Sequence, residues 1–384
     1  MHQVGITLGR PCVIAQAPPD LREWGPYQFP KVERLEDGRL YCSYHVAEDS
    51  VAAYGKSRAH AVSEDGGTTW GTLESAPLKS GLLLPDGSRI REKTPAAPDY
   101  RTRLVPGCRL CQAVISAHRC DLYEPDLFSQ EESGIHYELL PAGGKDWLPM
   151  RTDVHLPFAK RTLDGGFLPY FAFSRLRLAP DGALWGLVYA YTYREHTARM
   201  AALFLVSEDC GRTWSYRSSV YYEPDKTDRH WALCTGFTEP DVAFLPDGSL
   251  LCLLRTNDVH HFGPLYQARS TDGGRTWSRP AQFDNLGVWP TLLTLENGVT
   301  LAGYGRPGLF LRASRDGGEF DERLKIIPPL KRPQPNTCSY CDMVALSEDT
   351  AYLVYTDFEY PNPEGVPVKT VLGRTVRAER SKAI

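Results

Sequence analysis

One short turn recurs along the chain. The octet "SEDGGTTW" at 63–70 returns as "SEDCGRTW" at 207–214 and "STDGGRTW" at 270–277, with a degenerate copy, "SRDGGEF", at 314–320. At average residue frequencies a Ser-x-Asp-x-Gly-x-Thr-Trp match is expected about once in several million positions, so the full copies mark a repeated structural unit. Its chemistry is that of a hairpin turn. Ser and Asp side chains accept backbone N–H bonds, Gly supplies positive φ, and Trp gives the departing strand a large apolar anchor.

A second signal interleaves with the first: two apolar runs joined by what reads as a two-residue turn. It occurs in "LEDGRLY", "LLPDGSRI", "LAPDGALW", "LPDGSLL", "LENGVTL" and "LSEDTAYL". The turns begin at Asp37, Asp86, Asp181, Asp247, Asn297 and Asp349, in steps of 49, 95, 66, 50 and 52 residues. Such steps suit one four-stranded sheet each, with insertions. The Ser-x-Asp turns follow at a regular distance, so each unit reads strand, turn, strand, loop, strand, Ser-x-Asp turn, strand. The expected fold is all-β: a six-bladed β-propeller, which protects its strand edges by closing a ring. "VGITL" at 4–8 is expected to pair near "VKTVLGRTV" at 368–376 and close it. No linker divides the chain, which reads as a single domain over 1–384 with an irregular blade and insertion at about 72–160.

Composition narrows the function. The chain has 384 residues, of which 42% are hydrophobic, enough for a sizeable core, and a net charge of −4. It therefore lacks the broad basic surface that nucleic acid or an anionic membrane would require. No stretch approaches the roughly 18 apolar residues of a membrane span, and "MHQVGITLGRPCVIAQAPPD" does not read as a secretion signal. These features lead to the expectation of a soluble, cytoplasmic protein. Cys108/Cys111 and Cys338/Cys341 have CxxC spacing, but strand alternation sends residues three apart to opposite faces, so free thiols are expected in preference to a zinc site.

In a meandering blade the repeated turns share one face, and counting outward from them finds the opposite rim. Glu239 lies eight residues before Asp247 and Arg255 eight after it, while Tyr340 lies eight before Glu348. Arg306 lies nine after Asn297, Gln28 nine before Asp37, and Asp49 twelve beyond Asp37. Singly, each has an ordinary structural explanation: an ion pair, a strand aromatic, a solvated carboxylate. Their shared height makes a central pocket the better reading. His260 and His261 follow Arg255 in a loop at the same rim, where they could touch substrate, although a solvated loop explains them better.

Turns and rim residues together resemble the sialidase (neuraminidase) superfamily, whose Asp-boxes have this Ser-x-Asp-x-Gly-x-Thr-Trp pattern; the resemblance runs from Tyr27 to about Tyr355. It implies that Tyr340 is the nucleophile and Glu239 the base that activates it. Arg255 and Arg306 would be two of three carboxylate-binding arginines, and Asp49, with Glu48 as its competitor, the acid/base. In "YQFP" Gln28 stands where the third arginine is expected. A carboxylate on the anomeric carbon repels an anionic nucleophile, and a neutral tyrosine avoids that repulsion. The implied partner is a glycan with a terminal sialic acid or similar acidic sugar, and no metal or cofactor is called for. Alternatives are another acidic sugar, for which Gln28 suits a different substituent, and a propeller that only binds glycans.

Overall fold

All six hairpins read from the sequence form, each between two consecutive strands of one sheet. In the computed structural model the described residues are 4–103, 108–115, 118–153, 156, 158–169, 171–194, 197–223, 234–256, 263–330 and 335–381. The turns themselves are three-residue loops, not the two-residue turns expected. In the first, Leu35 N–H donates to the Arg39 carbonyl at 2.8 Å and Gly38 N–H to the Leu35 carbonyl at 3.0 Å. Asp37 accepts the Arg39 N–H at 3.1 Å. The same pattern recurs at 84–88, 179–183, 245–249 and 295–299. In these five loops the third residue is a glycine at φ between 81° and 87°, a conformation that costs other residues a steric penalty.

The described strands make six sheets. The first runs Lys31–Arg34, Leu40–His45, Arg58–Ser63, Gly71–Leu73. The fourth (Phe237–Phe244, Leu250–Thr256, Leu265–Ser270, Ala281–Asp284) and the fifth (Val288–Thr294, Thr300–Gly305, Leu309–Ser314, Leu324–Ile327) repeat this meander. The sixth closes the chain on itself. Cys341–Ala345, Thr350–Pro361 and Pro367–Arg380 are joined by N-terminal Val4–Leu8, in register from Val4 with Arg380 to Leu8 with Val376. Cys12–Gln16 pairs with the same last strand at 370–373, so two N-terminal strands close the sheet where one was expected. The chain is an all-β propeller.

The irregular region is a complete second sheet, Leu82–Leu83, Arg89–Glu92, Ile135–Leu140 and Leu148–Thr152, interrupted after its second strand. Within that interruption lie Cys111–Ile115 and His118–Tyr123, a hairpin that joins the third sheet through Ala159–Asp164. Only one hairpin was legible here because the insertion separates strands that pair. All ten cysteines are free thiols, and Cys338 and Cys341 are both buried.

The repeated octets fasten neighbouring sheets. In the first, Asp65 Oδ1 accepts the backbone N–H groups of Thr68 and Thr69 at 3.0 and 2.9 Å, and Gly67 N–H donates to Ser63 Oγ at 2.8 Å. This closure presents the Gly67 carbonyl to the preceding sheet in the ring, where Tyr352 donates its hydroxyl at 2.6 Å. Tyr137 does the same to Gly211 at 2.7 Å, and Ser218 to Gly274 at 2.5 Å. Even the degenerate copy docks, through Arg269 onto the Gly317 carbonyl. The tryptophans complete the joint: Trp277 donates to Ser218 at 2.9 Å and packs on Phe204, 4.9 Å between ring centroids.

Ser218→Ala leaves a buried carbonyl and the Trp277 N–H without their partner. The expected cost is about 1–3 kcal/mol, read as a lower urea midpoint with unchanged slope. The Asp65 carboxyl is held down at about 2, chiefly by the Thr69 N–H and hydroxyl and by Ser63. A depressed folded pKa contributes stability above the unfolded value and loses it as pH falls through the folded one. The thermal midpoint is therefore expected to drop between about pH 4 and pH 2, and Asp65→Asn to make that drop shallower.

Candidate active site

Glu239 owes its direction to a bulge. Pairing in the fourth sheet passes from Thr238–Arg255 to Asp241–Leu253, leaving Glu239 and Pro240 opposite one residue. The fifth sheet repeats this from Val288–Gly305 to Thr291–Gly303, around Trp289 and Pro290. Proline has no N–H to give the ladder, so a bulge is where it fits, and the residue before it is disfavoured in the right-handed helical region. Phe29, Glu239 and Trp289, each followed by proline, lie at φ of 55°, 48° and 46°. Bulges and left-handed non-glycine residues re-aim side chains, and here all three meet at Tyr340.

Tyr340 donates its hydroxyl to Glu239 Oε1 at 2.5 Å. Arg255 donates Nη1 to the same carboxylate oxygen at 2.6 Å and to the Tyr340 oxygen at 3.2 Å. Glu239 Oε2 accepts the Trp289 N–H at 3.0 Å, so both of its oxygens are held. Trp289 stacks on the Tyr340 ring at 4.6 Å and Phe29 meets it edge-on at 4.7 Å. Burial, followed by the Glu239 charge, pushes the Tyr340 phenol well above its ordinary value. At rest it is a neutral phenol poised against a carboxylate.

Arg306 joins from the end of the fifth sheet's second strand, at φ 75°. It donates to the Cys338 carbonyl at 3.0 Å and lies 5.4 Å from the Trp24 ring centroid, while its buried Nε has no partner among the described residues. Burial, then Arg255, lowers its pKa, with Tyr340 and Glu239 opposing. Asp49 sits at the mouth, its Oδ2 accepting the Trp24 indole N–H at 2.9 Å. Loss of surrounding water raises the Asp49 carboxyl; Trp24 opposes this, Glu239 adds to it, and Arg306 and Arg255 also oppose it. Glu48 next to it is exposed and its carboxyl makes no hydrogen bond among the described residues.

Tyr340, Glu239 and Arg255 are thus in direct contact, Arg306 and Asp49 are near enough to act on them electrostatically, and Gln28 does not join them. It is fully buried, and in the amide orientation that satisfies its neighbours its oxygen accepts from Lys369 Nζ and Gly25 N–H, both at 3.2 Å. The physical reason is local backbone. Gln28 lies nine residues before its turn aspartate, where Glu239 lies eight before its own, and it precedes the first strand, set between Tyr27 and Phe29 in left-handed backbone at φ 57° and 55°. Phe29, at eight, takes the place beside Tyr340.

The same count finds residues that the sequence reading missed. Trp289 lies eight before Asn297, and His45 and Tyr189 lie eight after Asp37 and Asp181. His45 touches Phe29 at 4.9 Å, and burial pushes it down to about 3, which keeps it neutral. Tyr189 is raised by burial and then by Glu239. Nothing in the periodicity signals Trp24, because it lies outside every strand. His260 and His261 lie outside the described residues.

A family model described as a BNR repeat-like domain matches residues 131–359, more than half of the chain. The chain belongs to this BNR repeat-like family. No curated protein matches the sequence. Among solved structures, this BNR propeller is similar to a protein of unknown function from Dyadobacter fermentans, at 18% identity and a TM-score of 0.68, covering 97% of this chain and 99% of that one. It is also similar to an α-L-arabinofuranosidase from Fusarium graminearum (15%, TM-score 0.55, 96% and 97%). A Hadza microbial sialidase is matched at 16% and 0.54, over 93% of the BNR chain and 66% of the sialidase. At these identities the likeness is one of fold.

Because Gln28 faces Lys369, Gln28→Arg sets a second buried cation against the first. It is expected to cost about 3 kcal/mol or more without adding an arm to the pocket. Chemical denaturation measures the cost, and an unchanged Kd for an acidic monosaccharide shows the missing arm.

Proposed function

We propose that this BNR propeller is a retaining glycosidase that removes a terminal sialic acid or similar acidic sugar from a glycan, each of the six sheets serving as one blade around the pocket. The observation that carries the reading is the closed contact of Tyr340, Glu239 and Arg255, drawn from two sheets 101 residues apart in sequence at Tyr340 and Glu239. An ion pair alone would not require a phenol to donate into the carboxylate. A phenol kept neutral beside a base is what attack at an anionic anomeric centre calls for.

In this mechanism Arg306 and Arg255 receive the sugar carboxylate through charge-assisted bonds. Glu239 Oε1 takes the phenolic proton as Tyr340 Oη bonds to the anomeric carbon, and Asp49 gives its proton to the leaving oxygen. The raised Asp49 carboxyl favours the protonated form that this step needs. Water, deprotonated by Asp49, then releases the sugar, and Glu239 returns the proton to Tyr340. The reading needs no metal or cofactor, and its setting is the cytoplasm, with neither nucleic acid nor membrane as partner.

A second reading is favoured by Phe29, an apolar ring beside Tyr340 at the edge where a third guanidinium is expected. One cation fewer suits a less acidic or neutral sugar, and the arabinofuranosidase neighbour supports that option.

A panel of aryl glycosides separates these: an aryl sialoside, an aryl uronide and an aryl α-L-arabinofuranoside. Turnover of either acidic sugar is expected, with Tyr340→Phe lowering kcat by about a thousandfold or more at an unchanged thermal midpoint. Cleavage of the arabinoside alone decides for the neutral sugar. Glycan binding without cleavage of any member marks a binding module instead.

A further inference from the structure

The catalytic scheme leaves one contact unexplained: why a tryptophan from an irregular N-terminal segment holds the acid at the mouth. Trp24 and Asp49 are joined twice, by the indole N–H to Oδ2 at 2.9 Å and by the Asp49 backbone N–H to the Trp24 carbonyl at 3.2 Å. Next to Trp24, Gly25 at φ 120° lies so close to the Asp49 loop that a Cβ there would run into the Asp49 nitrogen and the Ala47 carbonyl. The indole is itself held, edge-on to Phe29 at 6.3 Å and to Phe358 at 6.0 Å, with the Arg306 guanidinium near its ring. A rigid neutral donor therefore occupies one oxygen of the carboxyl group, while close backbone contact fixes its loop.

We infer that Trp24 is a positioning residue for Asp49, holding Oδ2 so that the other oxygen carries the exchangeable proton, and seating the Asp49 loop against Gly25. The inference rests on the glycosidase reading for its meaning, though not for its geometry. Other groups also act on Asp49: Glu239 and Arg255 from the fourth sheet, Arg306 from the fifth, and Tyr189 and Tyr54 from the third sheet and the loop beyond Asp49. None of these is hydrogen-bonded to it among the described residues, whereas Trp24 is. A donor to a carboxylate stabilises the charged form, so its removal moves the carboxyl up and keeps it protonated to higher pH.

The test compares wild type with Trp24→Phe, which keeps the aromatic contacts and removes the N–H, and with Trp24→His, which keeps an N–H. Carboxyl carbon NMR follows the Asp49 titration, assigned through its disappearance in Asp49→Asn. Trp24→Phe is expected to raise the Asp49 midpoint by about half to one pH unit, and Trp24→His to raise it by less. On whichever glycoside the wild type cleaves, the basic limb of kcat/KM should move with it. A role confined to packing would lower activity without moving that limb. A shifted titration in a protein that cleaves nothing supports the Trp24 assignment and defeats the glycosidase reading. An unshifted titration in Trp24→Phe overturns the assignment, whether or not the enzyme is active.

Discussion

The first strand of each sheet in a ring presents an unpaired edge to its neighbour, and the structure depends on how those edges are caught. Asp342 accepts the Val32 N–H at 3.1 Å, Glu33 the Gly81 N–H at 2.6 Å, and Asp241 the Leu292 N–H at 2.7 Å. Thr291 returns the favour to the Cys341 carbonyl at 2.9 Å. Each bond satisfies a backbone group that would otherwise be buried without a partner. Each also sets the height of one strand against the next. Asp241, fully buried, is neutralised by Arg177 at 2.6 Å and lies 3.5 Å from Arg175, so its charge is not left bare.

That common height is what lets residues from distant parts of the chain meet. With the innermost strands held level, the position eight before the turn residue in four of the six sheets (Asp37, Asp247, Asn297 and Glu348) contributes Phe29, Glu239, Trp289 and Tyr340 to one cluster. Left-handed backbone at three of them costs on the order of 1–3 kcal/mol each, a strain that the surrounding sheets must offset. Its return is direction: Glu239 points at a phenol and receives the Trp289 N–H instead of pairing only with Arg255. Arg175 supports the arrangement from behind, 4.7 Å from the Trp289 ring centroid while bonded to Thr291.

The pocket is more aromatic and less cationic than the sialidase resemblance alone implies. Trp24, Phe29 and Trp289 line Tyr340 or its neighbours, and the Gln28 amide is spent on Lys369, whose ammonium also donates to the Glu23 carbonyl. The turns and inter-sheet bonds that hold this fold lie apart from the Tyr340 cluster, so a change in rim charge need not disturb the fold.

How far the sequence reached follows from which forces are local. The octets, the glycine turns and the eight-residue count are short-range, and they located the all-β propeller, the hairpins, and Glu239, Arg255 and Tyr340 at one rim. Gln28 was misplaced because it lies outside the strand that the count assumed, between Tyr27 and Phe29 in left-handed backbone, where spacing alone does not set a side chain's direction. The second sheet was obscured because its pairing strands are separated by a hairpin that belongs to its neighbour. Trp24 and its hold on Asp49 had no periodic signal at all. Loop-to-loop contact is settled only when the ring closes and brings residues 24, 49 and 306 into one small volume, and that closure is a property of the whole chain.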